Sequence, residues 1–270
     1  MDNLSQFKEM QKQSWVHFVP FEAITTPEAA RLVDHARLAK GMRVLDVACG
    51  TGVVAITAAR LGAVVTAIDL TPQLLERARE NARLAQVQVD WHEGDVESLP
   101  FEAGQFDAVL SQFGHIFAPR PEVAIAEMLR VLKPGGTLAF STWPPEFLVG
   151  QTGALAARYA PPPPNGIPTP MLWGDPKVIE QRLGSGVENI AFRRATMLVP
   201  ALSLAHFRTN VERAAGPIIK LLEMLSADPA RLASFRKEFD SVVAPYFADN
   251  LVRQDYLMTS ARKTGTSPQR

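Results

Sequence analysis

The sequence predicts an α/β fold built on an open, doubly wound, mostly parallel sheet, and three observations carry that reading. Between residues 42 and 142, short apolar or β-branched runs alternate with helical segments of about 10–15 residues, the spacing of βαβ units with right-handed crossovers. A glycine-rich turn follows the first run. Acidic residues close the first two runs and follow the third. In such a sheet ligands bind beyond the carboxyl ends of the strands, so these same turns are where a site is expected.

Each element has its own signal. Residues 1–40 read as mainly helical: Leu4, Phe7 and Met10 recur every third residue, and Thr26-Pro27 has the form of an N-cap before a first-position proline. Residues 42–47 form an apolar run broken by Arg43 and carrying Asp46 near its end. Residues 53–61 form a small-residue helix closed by Gly62, and 63–68 a β-branched run ending at Asp69. Thr71-Pro72 then caps a helix with Leu74, Ala78, Ala82 and Ala85 on one face. Val87, Val89 and Trp91 alternate as in a strand. Another strand spans 106–110, a helix over 121–132 is stopped by Pro134-Gly135-Gly136, and a fifth strand covers 137–142.

Beyond residue 143 the composition changes. Nine of the 21 prolines fall in 144–186, including Pro161 to Pro164, which favours a stiff polyproline-like segment. Trp143, Phe147, Tyr159 and Trp173 lie in or beside it. This stretch is expected to be an α-helical, Pro-rich insertion acting as a lid over the ligand edge. Residues 190–199 and 252–259 read as the last two strands, with helices over 203–225 and 229–245 between them. The domain plan is a helical lid or substrate segment (1–40), a ligand-binding core (41–143), the insertion (144–186), a unit of two strands plus a substrate-side helical subdomain (187–262), and a disordered tail (263–270).

Composition narrows the function. The 28 Lys+Arg residues balance the 28 Asp+Glu residues, and without a basic tract there is no electrostatic footprint for nucleic acid. A single cysteine, Cys49, allows neither an internal disulfide nor a C-x-x-C metal site, and no metal is expected. The start, MDNLSQFKEMQKQSW, lacks the apolar core of a signal peptide. No apolar run approaches the roughly 20 residues that span a bilayer, so a cytoplasmic location without membrane insertion is expected.

The candidate site lies on three strand ends. Asp46 closes the first, in VLDVACGTG (44–52), where Gly50 and Gly52 permit a tight bend and close backbone approach to a ligand. Asp69 ends the second, 19 residues beyond Gly50, the spacing at which an acid accepts hydrogen bonds from ribose hydroxyls. Asp95 follows the third, in EGDVESLPF (93–101). A glycine turn with a ribose acid suits a dinucleotide and S-adenosylmethionine equally. Two features favour the second: the turn reads A-C-G-T-G rather than G-x-G-x-x-G, and Asp46 suits a cationic ligand better than a pyrophosphate. Taken singly, Asp46 or Asp95 could be a turn cap and the glycines a left-handed turn; their joint placement at successive strand ends argues against that.

Together with AIDLTPQLLERARENA (67–82), GDVESLPF (94–101), FDAVLSQFGHIF (106–117) and EMLRVLKPGGTLAFSTW (127–143), the glycine motif resembles the class I S-adenosylmethionine-dependent methyltransferases. Within them it is similar to the ubiquinone/menaquinone-biosynthesis C-methyltransferases. The resemblance spans roughly residues 40–143 in five ordered motifs. It implies a Rossmann-like, seven-stranded sheet whose last strand is antiparallel, and S-adenosyl-L-methionine as cofactor, leaving as S-adenosyl-L-homocysteine. It implies that Asp46 and the backbone of Ala48, Cys49, Gly50, Thr51 and Gly52 hold the methionine part. Asp69 would take the ribose hydroxyls, Leu70 pack on adenine, and Asp95 and Val96 meet the adenine amino group and ring. Ser111 and Gln112 would border the sulfonium. Ala48 stands where many relatives carry glycine.

Methyl transfer from a sulfonium is an in-line displacement needing no metal, driven by placing acceptor and methyl about 3–3.5 Å apart and excluding water. A base is required only if the acceptor must lose a proton. His115, in the loop after the fourth strand, is the catalytic candidate, ahead of His17, His206 and Tyr159; its bland alternative is a structural histidine. Trp15, Phe18 and the aromatic insertion suggest a small, partly apolar acceptor. The expected protein is thus a small-molecule methyltransferase, monomer or homodimer. The alternative is a non-catalytic S-adenosylmethionine-binding or regulatory protein on the same fold.

Overall fold

In the computed structural model, which describes residues 3–162 and 166–265, alternating burial organises one sheet with helices on both faces. The strands are β1 (Arg43–Val47), β2 (Val64–Asp69), β3 (Asp90–Glu93), β4 (Phe106–Gln112), β5 (Leu132–Thr142), β6 (Val187–Pro200), β7 (Phe247–Ala248) and β8 (Leu251–Lys263). Their order is β3-β2-β1-β4-β5-β8-β6, with the two-residue β7 pairing β8 off this path. The first five run parallel, whereas β8 is antiparallel to both β5 and β6. The mostly parallel sheet with an antiparallel long last strand is therefore as expected. The extra β7 has a local cause: Asp249 and Asn250 both take positive φ (51° and 59°), the conformation of a two-residue hairpin turn.

The helices are α1 (Asn3–Trp15), α2 (Glu22–His35), α3 (Val53–Arg60), α4 (Pro72–Leu84), α5 (Pro121–Val131), α6 (Leu148–Tyr159), α7 (Pro176–Leu183), α8 (Leu204–Ala214), α9 (Gly216–Leu225) and α10 (Pro229–Val243). Successive side chains of a strand face opposite ways, and the two sheet faces differ in bulk. Val44, Ala108, Leu110 and Ala139 face the small residues Ala29, Ala55 and Ala58 of α2 and α3. Leu45, Val109, Leu138 and Phe140 face Met128 of α5 and Ile179 and Leu183 of α7. Small side chains let α2 and α3 lie close to the sheet; large ones fill a thicker layer opposite.

Several boundaries differ from expectation for identifiable reasons. The second helix starts at Glu22, so Thr26-Pro27 is inside it and not an N-cap. Thr26 Oγ1 turns back to the Glu22 carbonyl at 2.7 Å, as a mid-helix threonine does. Thr71 does precede Pro72 at a helix start, but its side chain makes no capping bond. Val87 and Val89 lie before the short β3, and the helix expected over 203–225 breaks at Ala215, where Pro217 opens α9. β5 begins at Leu132 because Lys133–Gly136 forms an irregularity between two registers with β4. The last strand runs to Lys263. Residues 266–270 of the expected tail, and Pro163 and Pro164 of the proline run, lie outside the described residues.

The 144–186 stretch divides between two cores. α6 packs with α8, α9 and α10 around Leu148, Leu155, Phe207, Leu221, Phe235 and Phe239, forming the helical subdomain. Trp173, Ile179 and Leu183 sit instead in the main core. The second half is thus the crossover helix onto β6, since its apolar face completes the sheet layer. No helix among the described residues is long and apolar enough to cross a membrane. Trp173 is 1% exposed, so Trp173→Ala is expected to cost about 3–5 kcal/mol in urea unfolding. A loss under about 1 kcal/mol would mean that this segment is a detachable cover.

Candidate functional site

The glycine turn leaves β1 with a left-handed zigzag: Ala48, Gly50 and Gly52 have φ of 51°, 54° and 81°. The two glycines are needed for different reasons. At Gly52 a Cβ would stand 2.6 Å from the Trp91 ring, so this glycine fits the turn against β3. At Gly50 a Cβ would meet nothing within 4 Å, which leaves the peptide open toward the sheet edge. Ala48 holds the same positive φ with a side chain, a conformation non-glycine residues adopt at a cost. The turn is pinned by Cys49 N–H donating to the Ile68 carbonyl (3.1 Å) and Asn81 Nδ2 donating to the Thr51 carbonyl (3.1 Å). Thr51 is buried.

Asp46 is the electrostatic centre of this edge. It is 1% exposed. Its Oδ2 accepts the Ala55 N–H in the first turn of α3 at 3.0 Å, while Oδ1 has no hydrogen-bond partner among the described residues. Burial, with Asp69 nearby, pushes its carboxyl well above the usual carboxylate range. Asp69 is also buried and raised, chiefly by desolvation, although Gly50 N–H donates to its Oδ2 (2.7 Å) and Thr71 N–H to its Oδ1 (2.8 Å). Each of these oxygens keeps a second lone pair for a ligand hydroxyl. Burial and the two acids push the Cys49 thiol up, so it is inert as a nucleophile.

The other expected residues fall into three groups. Leu70 is half-buried just beyond Asp69, and Val96 packs partly against the larger core. Asp95 caps its own turn, Oδ1 accepting the Glu97 N–H at 2.9 Å, and Oδ2 pairs with Lys8 Nζ at 2.5 Å. Ser111 is turned away from the edge. Its hydroxyl donates to the Val47 carbonyl (2.9 Å) and accepts the His115 N–H (3.2 Å), tying β4 and its loop to β1. Gln112 is placed differently: Nε2 donates to the Thr25 carbonyl (2.9 Å), and its buried Oε1 has no partner among the described residues.

His115 does not have the surroundings of a base. Its ring is fully buried, edge-on to Trp173 and tilted on Phe140, and neither nitrogen has a partner among the described residues. Burial, helped by the Arg182 guanidinium, lowers its pKa to about 3. His17 is exposed, His206 accepts the Leu202 N–H at the start of α8, and Tyr159 bonds Glu238 in the helical subdomain. The expected aromatic wall is likewise dispersed. Trp143 stacks on Phe113 at 4.0 Å beside the ends of β4 and β5, Phe147 lies under Arg194, and Trp173 is in the core.

The N-terminal segment, expected as a lid or substrate segment, is held at the sheet's carboxyl edge by contacts that carry no sequence signal. Lys8 pairs with Asp95 and Glu97 beyond β3, and Lys12 with Glu93 at its end. Glu22 accepts from Arg77 and Asn81 of α4. Between these clamps Phe21, Phe18, Trp15 and Phe117 form a ladder with ring centroids 5.3, 5.1 and 4.4 Å apart. Partners separated by 55 to 89 residues leave no local signal in the sequence.

These residues suit S-adenosylmethionine on their own chemistry. An unmatched buried carboxylate calls for a cation, an open glycine peptide allows close approach, and a second acid lies one strand away. A family model described as a methyltransferase domain matches residues 44–136. The uncharacterized Mycobacterium tuberculosis protein Rv1403c is 35% identical over 243 residues, 90% of this chain and 89% of that one. A ubiquinone biosynthesis O-methyltransferase of Xanthomonas oryzae pv. oryzae is 45% identical over 128 residues, 45% of this chain and 53% of that enzyme. Among solved structures, Haemonchus contortus phosphoethanolamine N-methyltransferase 2 in complex with S-adenosyl-L-methionine shares the fold, with a TM-score of 0.57, 17% identity, and 88% of this chain and 52% of that chain covered. With its Rossmann-like sheet and its ordered strand-end motifs, the chain belongs to the family of Rv1403c and carries over residues 44–136 a methyltransferase domain, the kind of domain that takes S-adenosyl-L-methionine as its cofactor.

Proposed function

We propose that the enzyme methylates a small, partly apolar molecule in the space between the carboxyl sheet edge and the N-terminal segment. The observation that carries the placement of the cofactor is the orphaned Oδ1 of buried Asp46. A carboxylate desolvated without a counter-ion is costly, and a cation arriving with a ligand offsets that cost. The cofactor, when bound, supplies a methyl group activated by the sulfonium that carries it. Asp46 would hold its cationic methionine end and the Gly50 peptide would lie along it. Asp69 would accept from the ribose hydroxyls, and Asp95 with the Val96 backbone would receive the adenine. The acceptor reading rests on the half-buried ladder of Trp15, Phe18, Phe21 and Phe117 and on the Phe113–Trp143 stack, which offer ring faces and few charges.

Orientation and water exclusion carry the rate in this reading. Gln112 Oε1, buried at the end of β4, is the polar group best placed to orient an acceptor donor. His115 serves as packing for the loop after β4. A group that protonates only near pH 3 holds no useful affinity for a proton at neutral pH.

Calorimetry with S-adenosylhomocysteine and NADH tests the cofactor site. The wild type should bind the adenosyl ligand and not NADH, and Asp69→Ala should weaken binding by about tenfold or more. Asp46→Asn should abolish binding while leaving the free protein as stable or about 1 kcal/mol more so, because it removes a carboxyl whose ionisation burial disfavours. A destabilised Asp46→Asn protein that still binds would reverse the assignment.

His115 makes a separate pH prediction. Its folded pKa lies below the unfolded value, so the unfolded chain takes up a proton first as pH falls. Stability should therefore decline from about pH 6.5 toward pH 3. Urea midpoints for His115→Leu should show a shallower decline over that window. An equal slope in both proteins would mean that the ring is accessible to protons in the folded state.

A further inference from the structure

The N-terminal helix is fastened to the same acidic turn that the proposed function assigns to adenine, and the two acids of that turn are not equivalent. Glu97 is a fixed anchor: its side chain is fully buried, Arg120 N–H donates to its Oε1 (2.6 Å), and Arg120 Nε and Lys8 Nζ both reach its Oε2 (2.7 and 2.5 Å). Asp95 is about a quarter exposed, keeps its turn with Oδ1, and presents Oδ2 to Lys8 at 2.5 Å. Lys8 therefore bridges one acid that needs a permanent cation and one that can release it.

The helix carrying Lys8 has other holds. Lys220 Nζ of α9 donates to the Met10 carbonyl at 2.6 Å, and Gln11 Nε2 donates to the Phe117 carbonyl at 3.4 Å. Gly216 lies so close to the Ser14 carbonyl that a Cβ there would come within 2.3 Å of it. Giving up the Asp95 contact would leave α1 in place on these.

We propose that Lys8 is a displaceable stand-in for the amino group of the cofactor's adenine. In the free protein its ammonium holds Asp95 Oδ2. When the cofactor enters, Lys8 withdraws to Glu97 alone and Asp95 turns its freed oxygen to the purine. This rests on the assignment of Asp95 to adenine made above. A lysine suits the exchange because its flexible stem carries a single point charge that can be re-aimed without moving the helix. Both carboxylates stay matched throughout: Glu97 keeps Arg120 and Lys8, and Asp95 trades one donor for another. Partly exposed ion pairs contribute little net stability, so the swap costs little affinity. It governs access instead, and Lys8 sets how fast the cofactor enters and leaves.

The test is surface plasmon resonance of S-adenosylhomocysteine on the full-length protein, paired with hydrogen–deuterium exchange of the ligand-free protein. Lys8→Met keeps the apolar stem and removes the charge. Association and dissociation should both quicken by about fivefold or more, with Kd changed by less than about threefold. Exchange across residues 4–15 should quicken in the free variant. Lys12→Met, which removes a more exposed pair with Glu93, should change both rates by less than about twofold. Unchanged or slower rates in Lys8→Met, or a weaker Kd with an unaltered association rate, would overturn the stand-in role while leaving the cofactor reading intact. A wild type that does not bind S-adenosylhomocysteine would overturn both.

Discussion

A carboxylate buried at the end of the central strand imposes most of the local architecture. Asp46 sits on β1, between β2 and β4, where water cannot solvate it. Half of its demand is met by the first turn of α3, whose Ala55 N–H is one of the donors a helix leaves unused at its start. For that helix to begin so close to the strand, the chain must reverse within a few residues, and it does so through three left-handed positions in five. Two are glycines. The third, Ala48, accepts a conformational cost to keep the turn. The other half of the demand stays open, and a folded protein tolerates such a debt mainly where a ligand settles it.

The roof over this edge comes from the first residues of the chain. Its aromatic ladder is only partly buried, and polar clamps hold it at both ends: Glu22 against Arg77 and Asn81, and Lys8 and Lys12 against the acids at and beyond the end of β3. Deeper down, α2 is bound to the sheet by a buried set in which the Tyr256 hydroxyl donates to Glu28 and Glu28 also pairs with Arg31. The contrast orders the segment by stability. The part anchored on the sheet shares the stability of the core, while the part held by polar clamps and a half-buried aromatic ladder opens at lower energy.

The two sheet faces divide the labour between site and stability. Beneath the loop after β4, the face packed by α5 and α7 holds the largest side chains, with Trp173, Phe140 and His115 in mutual contact. A histidine in that layer is forced neutral, because a charge there would be desolvated next to Arg182. Ser111, near the end of β4, directs its hydroxyl to the backbone of β1 and of the loop. Their proximity to the site in sequence thus reflects support of the loop.

What the sequence determined by itself was whatever depends on neighbours along the chain. The period-2 and period-3.6 patterns of residues 42–142, the acids at successive strand ends and the A-C-G-T-G turn marked the parallel half of the sheet and its candidate ligand edge. These signals are local because βαβ units fold adjacent segments together. Tertiary structure decided the rest. Pro27 was absorbed into a helix that had already begun at Glu22, and the Pro-rich stretch was split between two cores according to where Leu155 and Trp173 found apolar partners. Lys8 reached Asp95 across 87 residues of chain. His115 looked available in the sequence because a loop histidine shows its chemistry but not its burial. Which side chains meet, and how dry they become, is set by the packing of distant elements, and no local pattern encodes that.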